Sequence, residues 1–230
     1  MFIASFPAGP WQTNCYLAAT APGEECVIID PGLDAVAPVR DLVAEHRLAP
    51  VAVLLTHGHI DHTFTVVPLC TRYAAACWIG ADDRILLREP ARAMDAAMHE
   101  LLVRLTGTDR LPEPDDVREL ADRDTVSVAG LEFEALHAPG HTPGSTMFRA
   151  PHPREEVEAV VFSGDVLFAG SIGRTDLPGG DARAMLHSLR TKVAPLPDGT
   201  VVLPGHGPQT TIARERRDNP FLANLERSAL

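Results

Sequence analysis

Basic charge is scarce in this chain. Its 20 lysines and arginines face 31 aspartates and glutamates, a formal net charge of −11 over 230 residues. An acidic surface repels a phosphate backbone, which argues against a general nucleic-acid partner. Cysteine is scarce too. Cys15, Cys26, Cys70 and Cys77 include no C-x-x-C pair, so no redox or zinc-ribbon motif is written in them. They read as small buried hydrophobes, although Cys70 and Cys77 flank an apolar segment and could meet. Long apolar runs are missing, which excludes a membrane-spanning helix. The opening MFIASFPAGPWQTNCYL lacks both the basic start and the apolar stretch of an export signal. The cytoplasm is therefore the expected location, with no membrane partner.

There is also no Gly/Ser-rich linker, no low-complexity tract and no visible repeat. With 45% hydrophobic and 22% charged residues, the chain has ordinary globular composition and enough length for a normal core. A single domain over residues 1–230 is expected, with a short helical tail from about residue 210.

Against these absences stands one dense stretch, LLTHGHIDHT. It places His57, His59, Asp61 and His62 within six positions, straight after the apolar run VAVLL. A solvated helix face has no use for three imidazoles there, and a core would have to satisfy each of them. Three more groups share the context of following a predicted strand: His141 in APGHTPGS, Asp165 in FSGDVLF and His206 in LPGHG. Loops at strand ends project side chains into one cleft of an α/β sheet. Imidazole and carboxylate are common ligands of divalent ions such as zinc. Five histidines and two aspartates exceed one tetrahedral ion and suit two, if one carboxylate bridges. Gly140 and Gly205, beside His141 and His206, point to close backbone approach.

The rest of the chain alternates strands and helices. Strands are predicted at FIASF, NCYLAAT, ECVIID, VAVLL, CWIG, VREL, TVSV, LEFEALHA, STMFR, VEAVVFSG and TVVLPG. Helices are predicted over 35–46, 63–76 with a kink at Pro68, 91–105, 182–193, 212–217 and 220–228. Asp82 is expected to cap DDRILLRE. The stripe Met94, Met98, Leu101 and Leu102 reads as core or lid packing.

T-H-G-H-I-D-H, followed in order by PGHT, SGD and PGHG and preceded by IIDPG, resembles the motif set of the metallo-β-lactamase superfamily. The resemblance covers essentially the whole chain and is closest to the small bacterial glyoxalase II-like, or hydroxyacylglutathione hydrolase-like, enzymes. It implies an α/β fold of αββα type, two mixed sheets flanked by helices with the metals at one edge. It implies that His57, His59 and His141 hold one ion, that Asp61, His62 and His206 hold a second, and that Asp165 bridges them. Asp61 and Asp165 are then the carboxylates of the catalytic centre. Two divalent ions are expected, zinc first, with iron and manganese also compatible with this donor set. Such a pair shares a hydroxide at neutral pH. A thioester suits it, because a thiolate leaves with little proton assistance. The implied reaction releases a hydroxy acid and a free thiol.

Several readings stay open at this level. Asp30 either supports the motif loop or caps a strand end. His137 reads as a structural hydrogen-bonder. Arg174, in GRTD after Asp165, either anchors a substrate carboxylate or pairs with Asp176. Arg214, Arg216 and Arg217 either touch substrate or form a solvated face. The tail is shorter than in typical glyoxalase II, so the thiol carrier need not be glutathione. The alternative activity is that of the persulfide dioxygenases of the same superfamily, which use one iron. A β-lactamase is disfavoured by Asp165 and the missing export signal, and a nuclease by the acidic surface. A small-molecule thioester is the expected partner, and the chain is expected to be a monomer or small homo-oligomer.

Overall fold

Side chains alternate along a strand between its two faces, so one strand can serve two cores. The structure, a computed structural model describing residues 1–152 and 157–227, uses that alternation throughout. The first sheet comprises β1 (Phe2–Ala8), β2 (Thr13–Ala19), β3 (Glu25–Ile29), β4 (Ala49–Leu55), β5 (Ala76–Gly80) and β6 (Val117–Leu120), paired in that order. The β1–β2 and β2–β3 pairs are antiparallel, and the pairs from β3 to β6 are parallel. The second sheet begins with β7 (Thr125–Val128), β8 (Leu131–His137), β9 (Thr146–Pro151) and β10 (Ala159–Gly164). A small hairpin of β11 (Leu167–Phe168) and β12 (Ser171–Ile172) follows, then β13 (Thr200–Pro204) and β14 (Thr210–Thr211). In space this sheet runs β14-β13-β10-β9-β8-β7, with β10 and β13 parallel.

Helices cover the outer faces: α1 (Val36–His46), α2 (Ile60–Thr63), α3 (Val66–Tyr73), α4 (Arg84–Arg88), α5 (Ala96–Thr106), α6 (Ala182–Ser188), α7 (Ile212–Asp218) and α8 (Pro220–Arg227). Tyr16, Val27, Ile29 and Leu54 of the first sheet pack against Phe133, Phe148 and Phe162 of the second. The alternate residues Leu17, Ile28, Val53 and Ile79 pack outward against Val39 of α1 and Leu69 of α3. On the far side Met147, Val161 and Val202 meet Met185, Ile212 and Leu222. The layers are helix, sheet, sheet, helix, as the superfamily resemblance implied. Phe162 is fully buried and pairs with Phe148 on one side and Leu203 on the other. Burying such a side chain stabilises the fold by about 1.5–3 kcal/mol.

Several local expectations need correction. Pro68 does not kink a long helix. It is the third residue of α3, where its missing N–H leaves no hydrogen bond unmade. Asp82 caps nothing. The turn 81–83 precedes α4, and no side chain caps that helix. The segment 91–105 divides into a turn at Pro90–Ala93 and α5, whose cap is Asp95 accepting from Met98 N at 2.9 Å. The two-residue strands β11, β12 and β14 carry too short a pattern to be read from sequence. Ser228, the expected end of the last helix, lies outside the described residues. All four cysteines are buried and free, and Cys70 and Cys77 share one apolar cluster, with the neighbouring Cys70 and burial raising the Cys77 thiol.

The parallel pairs β3/β4 and β10/β13 deliver the motif loops. Asp30 follows β3, the His57–His62 loop follows β4, Asp165 follows β10 and His206 follows β13. The two sheets are tied at this end by a bridge between Thr13 and His206, by Asn14 N donating to Gly205 O at 2.7 Å, and by Tyr16 Oη donating to Pro204 O at 2.7 Å.

Candidate metal centre

All seven residues singled out by spacing meet at this edge. His57 Nε2 lies 3.1 Å from His59 Nδ1, which lies 2.8 Å from His141 Nε2. His206 Nε2 lies 3.3 Å from both His62 Nε2 and Asp61 Oδ2. Asp165 stands between the two groups. Its Oδ1 is 3.4 Å from His62 Nε2, while its Oδ2 is 3.5 Å from His141 Nε2 and 3.6 Å from His206 Nε2. Three sets of donor atoms lie within 4.8 Å of one another: His57, His59, His141; His57, His62, Asp165; and Asp61, His62, His206.

The outer ring nitrogens fix the tautomers. His141 Nδ1 faces the Arg174 carbonyl at 2.7 Å, and His206 Nδ1 faces the Trp11 carbonyl at 3.1 Å. A carbonyl only accepts, so these nitrogens carry the proton and both Nε2 lone pairs point inward. His62 Nδ1 meets Asp30 Oδ2 at 3.0 Å and is held the same way. Asp30 also accepts from Thr56 N and Thr56 Oγ1 at 2.8 and 2.7 Å, so it supports the motif loop rather than merely ending a strand. Its φ of +51° is a strained backbone for aspartate, tolerated because three donors hold the carboxylate.

Lone pairs converging in a buried space need a cation between them. Asp165 Oδ1 is buried and accepts no hydrogen bond. Carboxylates and bare imidazole nitrogens are the donor set of a divalent-metal site, so the residues fit the two ions that the motif pattern implies. The electrostatics agree. Burial, reinforced by His141, lowers His59 to about 3. Burial likewise pushes His57 well down, aided by His62, His141 and His59. Burial would also lower His62, but Asp61, Asp165 and Asp30 override it and raise it to about 10. Burial would raise Asp61, but His62 and His206 hold its carboxyl below the usual range.

Close approach explains one glycine directly. A Cβ on Gly205 would strike Asp165 Oδ1, and would come within 2.6 Å of His62 Cε1. At Gly140 the neighbour is instead the backbone of Met185 on α6, with φ +143°. That glycine therefore seats the His141 loop on a helix rather than on the ligands.

Sequence reasoning missed the support that joins the loops. Asp83 is fully buried and accepts from Gly58 N at 2.8 Å, Thr142 Oγ1 at 2.6 Å and Gly144 N at 2.7 Å. It ties the first motif loop to the third. Nothing in the surface-like DDR run singled it out, and the cap expectation fell on its neighbour Asp82. Thr13 Oγ1 approaches Asp61 Oδ2 at 3.4 Å and was also unmarked. His137 is a structural hydrogen-bonder, its Nε2 donating to Pro143 O at 2.8 Å.

A cavity of about 500 Å³ opens over this cluster, lined by His59, Asp61, His141, Asp165 and His206. Arg174 lines it, but its guanidinium forms a two-bond fork with Asp176 at 2.7 and 2.8 Å. Arg214, Arg216 and Arg217 do not line it. Arg216 instead pairs with Asp198 and the carbonyls of Ala194 and Leu196, and Arg217 pairs with Asp218.

Residues 8–206 match the family model described as the metallo-beta-lactamase superfamily. The chain belongs to the metallo-β-lactamase superfamily. A superfamily relative from Haemophilus influenzae, named hydroxyacylglutathione hydrolase GloC, is 36% identical over 228 residues, covering 96% of this chain and 98% of its own. The crystal structure of a B3 metallo-β-lactamase, BLEG-1, is 38% identical with TM-score 0.80, covering 96% of this chain and 99% of that one. A superfamily member solved in a di-iron-bound form is 38% identical with TM-score 0.75, covering 96% and 100%. No helix among the described residues is long and apolar enough to cross a membrane.

Proposed function

We propose that this superfamily member is a dinuclear metallohydrolase that cleaves a thioester of a small hydroxy acid to the free acid and a thiol. The observation that carries the dinuclear part is the position of Asp165, with one oxygen turned to His62 and the other to His141 and His206. His57, His59 and His141 would hold one ion, and Asp61, His62 and His206 the other. Two divalent ions held there would lower the pKa of a water to near neutrality and stabilise the negative charge that develops on a carbonyl oxygen.

The chain's own residues supply the rest. Asp30 and the carbonyls of Arg174 and Trp11 fix the ligand rings. Apolar side chains around the cavity keep bulk water from the reacting carbonyl. A thiolate leaves with little proton assistance, so a thioester needs no dedicated general acid here, and the GloC relative supports that choice. We take zinc as the first candidate metal and the cytoplasm as the location.

A second reading is oxidation of a persulfide at a single iron, since iron also suits this donor set. One experiment separates them. Protein of determined metal content is offered thioesters on several thiol carriers and, in parallel, a persulfide under oxygen monitoring. Metal-dependent thiol release without oxygen uptake supports the hydrolase. Oxygen uptake with the persulfide, and no thioester turnover, contradicts it.

A further inference from the structure

The cavity over the ligands has walls of consistent chemistry. Trp11 enters from the turn between β1 and β2, Met94 from the segment just before α5, Met98 from its first turn, and Phe168 and Ile172 from the β11–β12 hairpin. Behind them Met94 joins Ile60 and Leu102 in an apolar cluster. The hairpin is fixed from its far side. Glu215, fully buried on α7, accepts from Gly170 N at 2.7 Å, and Asn219 Nδ2 donates to Ser171 O at 3.1 Å. The wall is therefore braced by the carboxy-terminal helices rather than loosely draped.

Beyond the ligand residues, the charged groups lining the cavity are Asp95 and Arg174. Arg174 is engaged by both oxygens of Asp176. Asp95 holds its carboxylate in place as the cap of α5. At the rim Asp95 and Asp176 outnumber the Arg174 guanidinium by one charge, while the positive charge of two ions would lie at the cavity floor among the ligand residues, where the scissile carbonyl would bind and not the remote carboxylates of a carrier. An incoming carboxylate meets no unpaired cation at the rim. An apolar group meets aromatic and thioether surfaces that adapt to its shape.

We infer that the cavity takes thioesters with apolar groups beside the scissile bond, on a carrier that bears no carboxylate, in preference to a carboxylate-bearing carrier such as glutathione. This rests on the thioesterase reading above and specifies its substrate class. Asp95 and the Arg174–Asp176 fork set the charge preference, and Trp11, Met94 and Met98 set the apolar one.

The test is binding of thioethers that cannot be hydrolysed, to the metal-containing protein, followed by calorimetry and by tryptophan fluorescence, to which Trp11 in the cavity wall contributes beside Trp78. S-hexylglutathione is compared with the hexyl thioether of N-acetylcysteamine. The uncharged carrier should bind about tenfold more tightly, the scale of a modest like-charge penalty. Shortening hexyl to methyl should weaken both. Asp95→Asn keeps a capping oxygen while removing the charge, so it should narrow the gap. S-hexylglutathione binding as tightly as the uncharged thioether overturns the inference. So does a gap that Asp95→Asn leaves unchanged, or equal binding of methyl and hexyl forms. Turnover of the matching thioesters is measured separately: loss of the binding preference contradicts this inference, and absence of all turnover contradicts the reading it rests on.

Discussion

Asp30 Oδ2 sits 3.0 Å from His62 Nδ1, deep in the wall between the sheets, with both side chains almost fully buried. One residue closing β3 thereby sets the ring of another in the β4 loop. Asp30→Asn keeps a residue tolerant of the left-handed backbone but loses the charge that orients the imidazole. Metal affinity should fall about 10- to 100-fold, the usual cost of losing such support. Competition with a chelator measures it. Wild-type affinity in the variant would contradict the role given to Asp30.

Asp83 makes a different prediction, one of stability. Asp83→Ala strands the N–H groups of Gly58 and Gly144 and the Thr142 hydroxyl in a buried space. The loss should be about 3 kcal/mol or more, since each stranded buried donor costs about 1–3 kcal/mol. Denaturant unfolding of the metal-free protein reads this without interference from bound ions. A change within the ordinary surface range would show that the loops are held by something else.

Proton release should differ between the two halves of the centre. His59, lowered to about 3 by burial and His141, is already neutral at pH 7. His62, raised to about 10 by its three carboxylate neighbours against the pull of burial, still carries a proton there. An ion entering the His57–His59–His141 group displaces no proton from His59, whereas one entering the Asp61–His62–His206 group must displace that on His62. Affinity of the second group should therefore climb with pH from about pH 6 to pH 8, while that of the first changes less. Metal titration in weak buffer with a pH indicator checks this. Equal proton release at both steps would contradict it.

Arg174 offers a sharp pair of variants. Its backbone carbonyl, not its side chain, orients His141, so Arg174→Ala should leave metal affinity nearly unchanged. Its exposed ion pair with Asp176 adds little stability. Arg174→Ala should raise KM for a glutathione thioester by less than about threefold, because a paired guanidinium contributes little uniform binding. Asp176→Ala frees the guanidinium and should lower that KM. A tenfold rise in KM in Arg174→Ala would make Arg174 a working carboxylate anchor after all.

Much of this was legible in the sequence for a physical reason. The stretch His57, His59, Asp61 and His62 marks itself locally, whereas His141, Asp165 and His206 each stand alone after a strand and gain their meaning from the order of the motifs. β2, β3, β4 and β10 were visible as short, nearly continuous apolar runs, and they are buried on both faces. What stayed hidden depends on distant partners. Asp83 carried no local mark, the cap expectation falling on its neighbour Asp82, because its partners lie in loops 25 to 61 residues away. Pro68 looked like a kink because the start of α3 is set by tertiary packing. The β11–β12 hairpin, two residues per strand, exists because Glu215 and Asn219 hold it from another part of the chain.

The central claim is a two-ion thioester hydrolase, and a stepwise metal titration of the metal-free chain tests it most directly. Zinc is added in known equivalents while thiol release from a thioester on an uncharged carrier is followed. Thiol release that rises until two ions are bound per chain, then stops rising, is the predicted result. Saturation at one ion, or a fully loaded protein that releases no thiol, would contradict it.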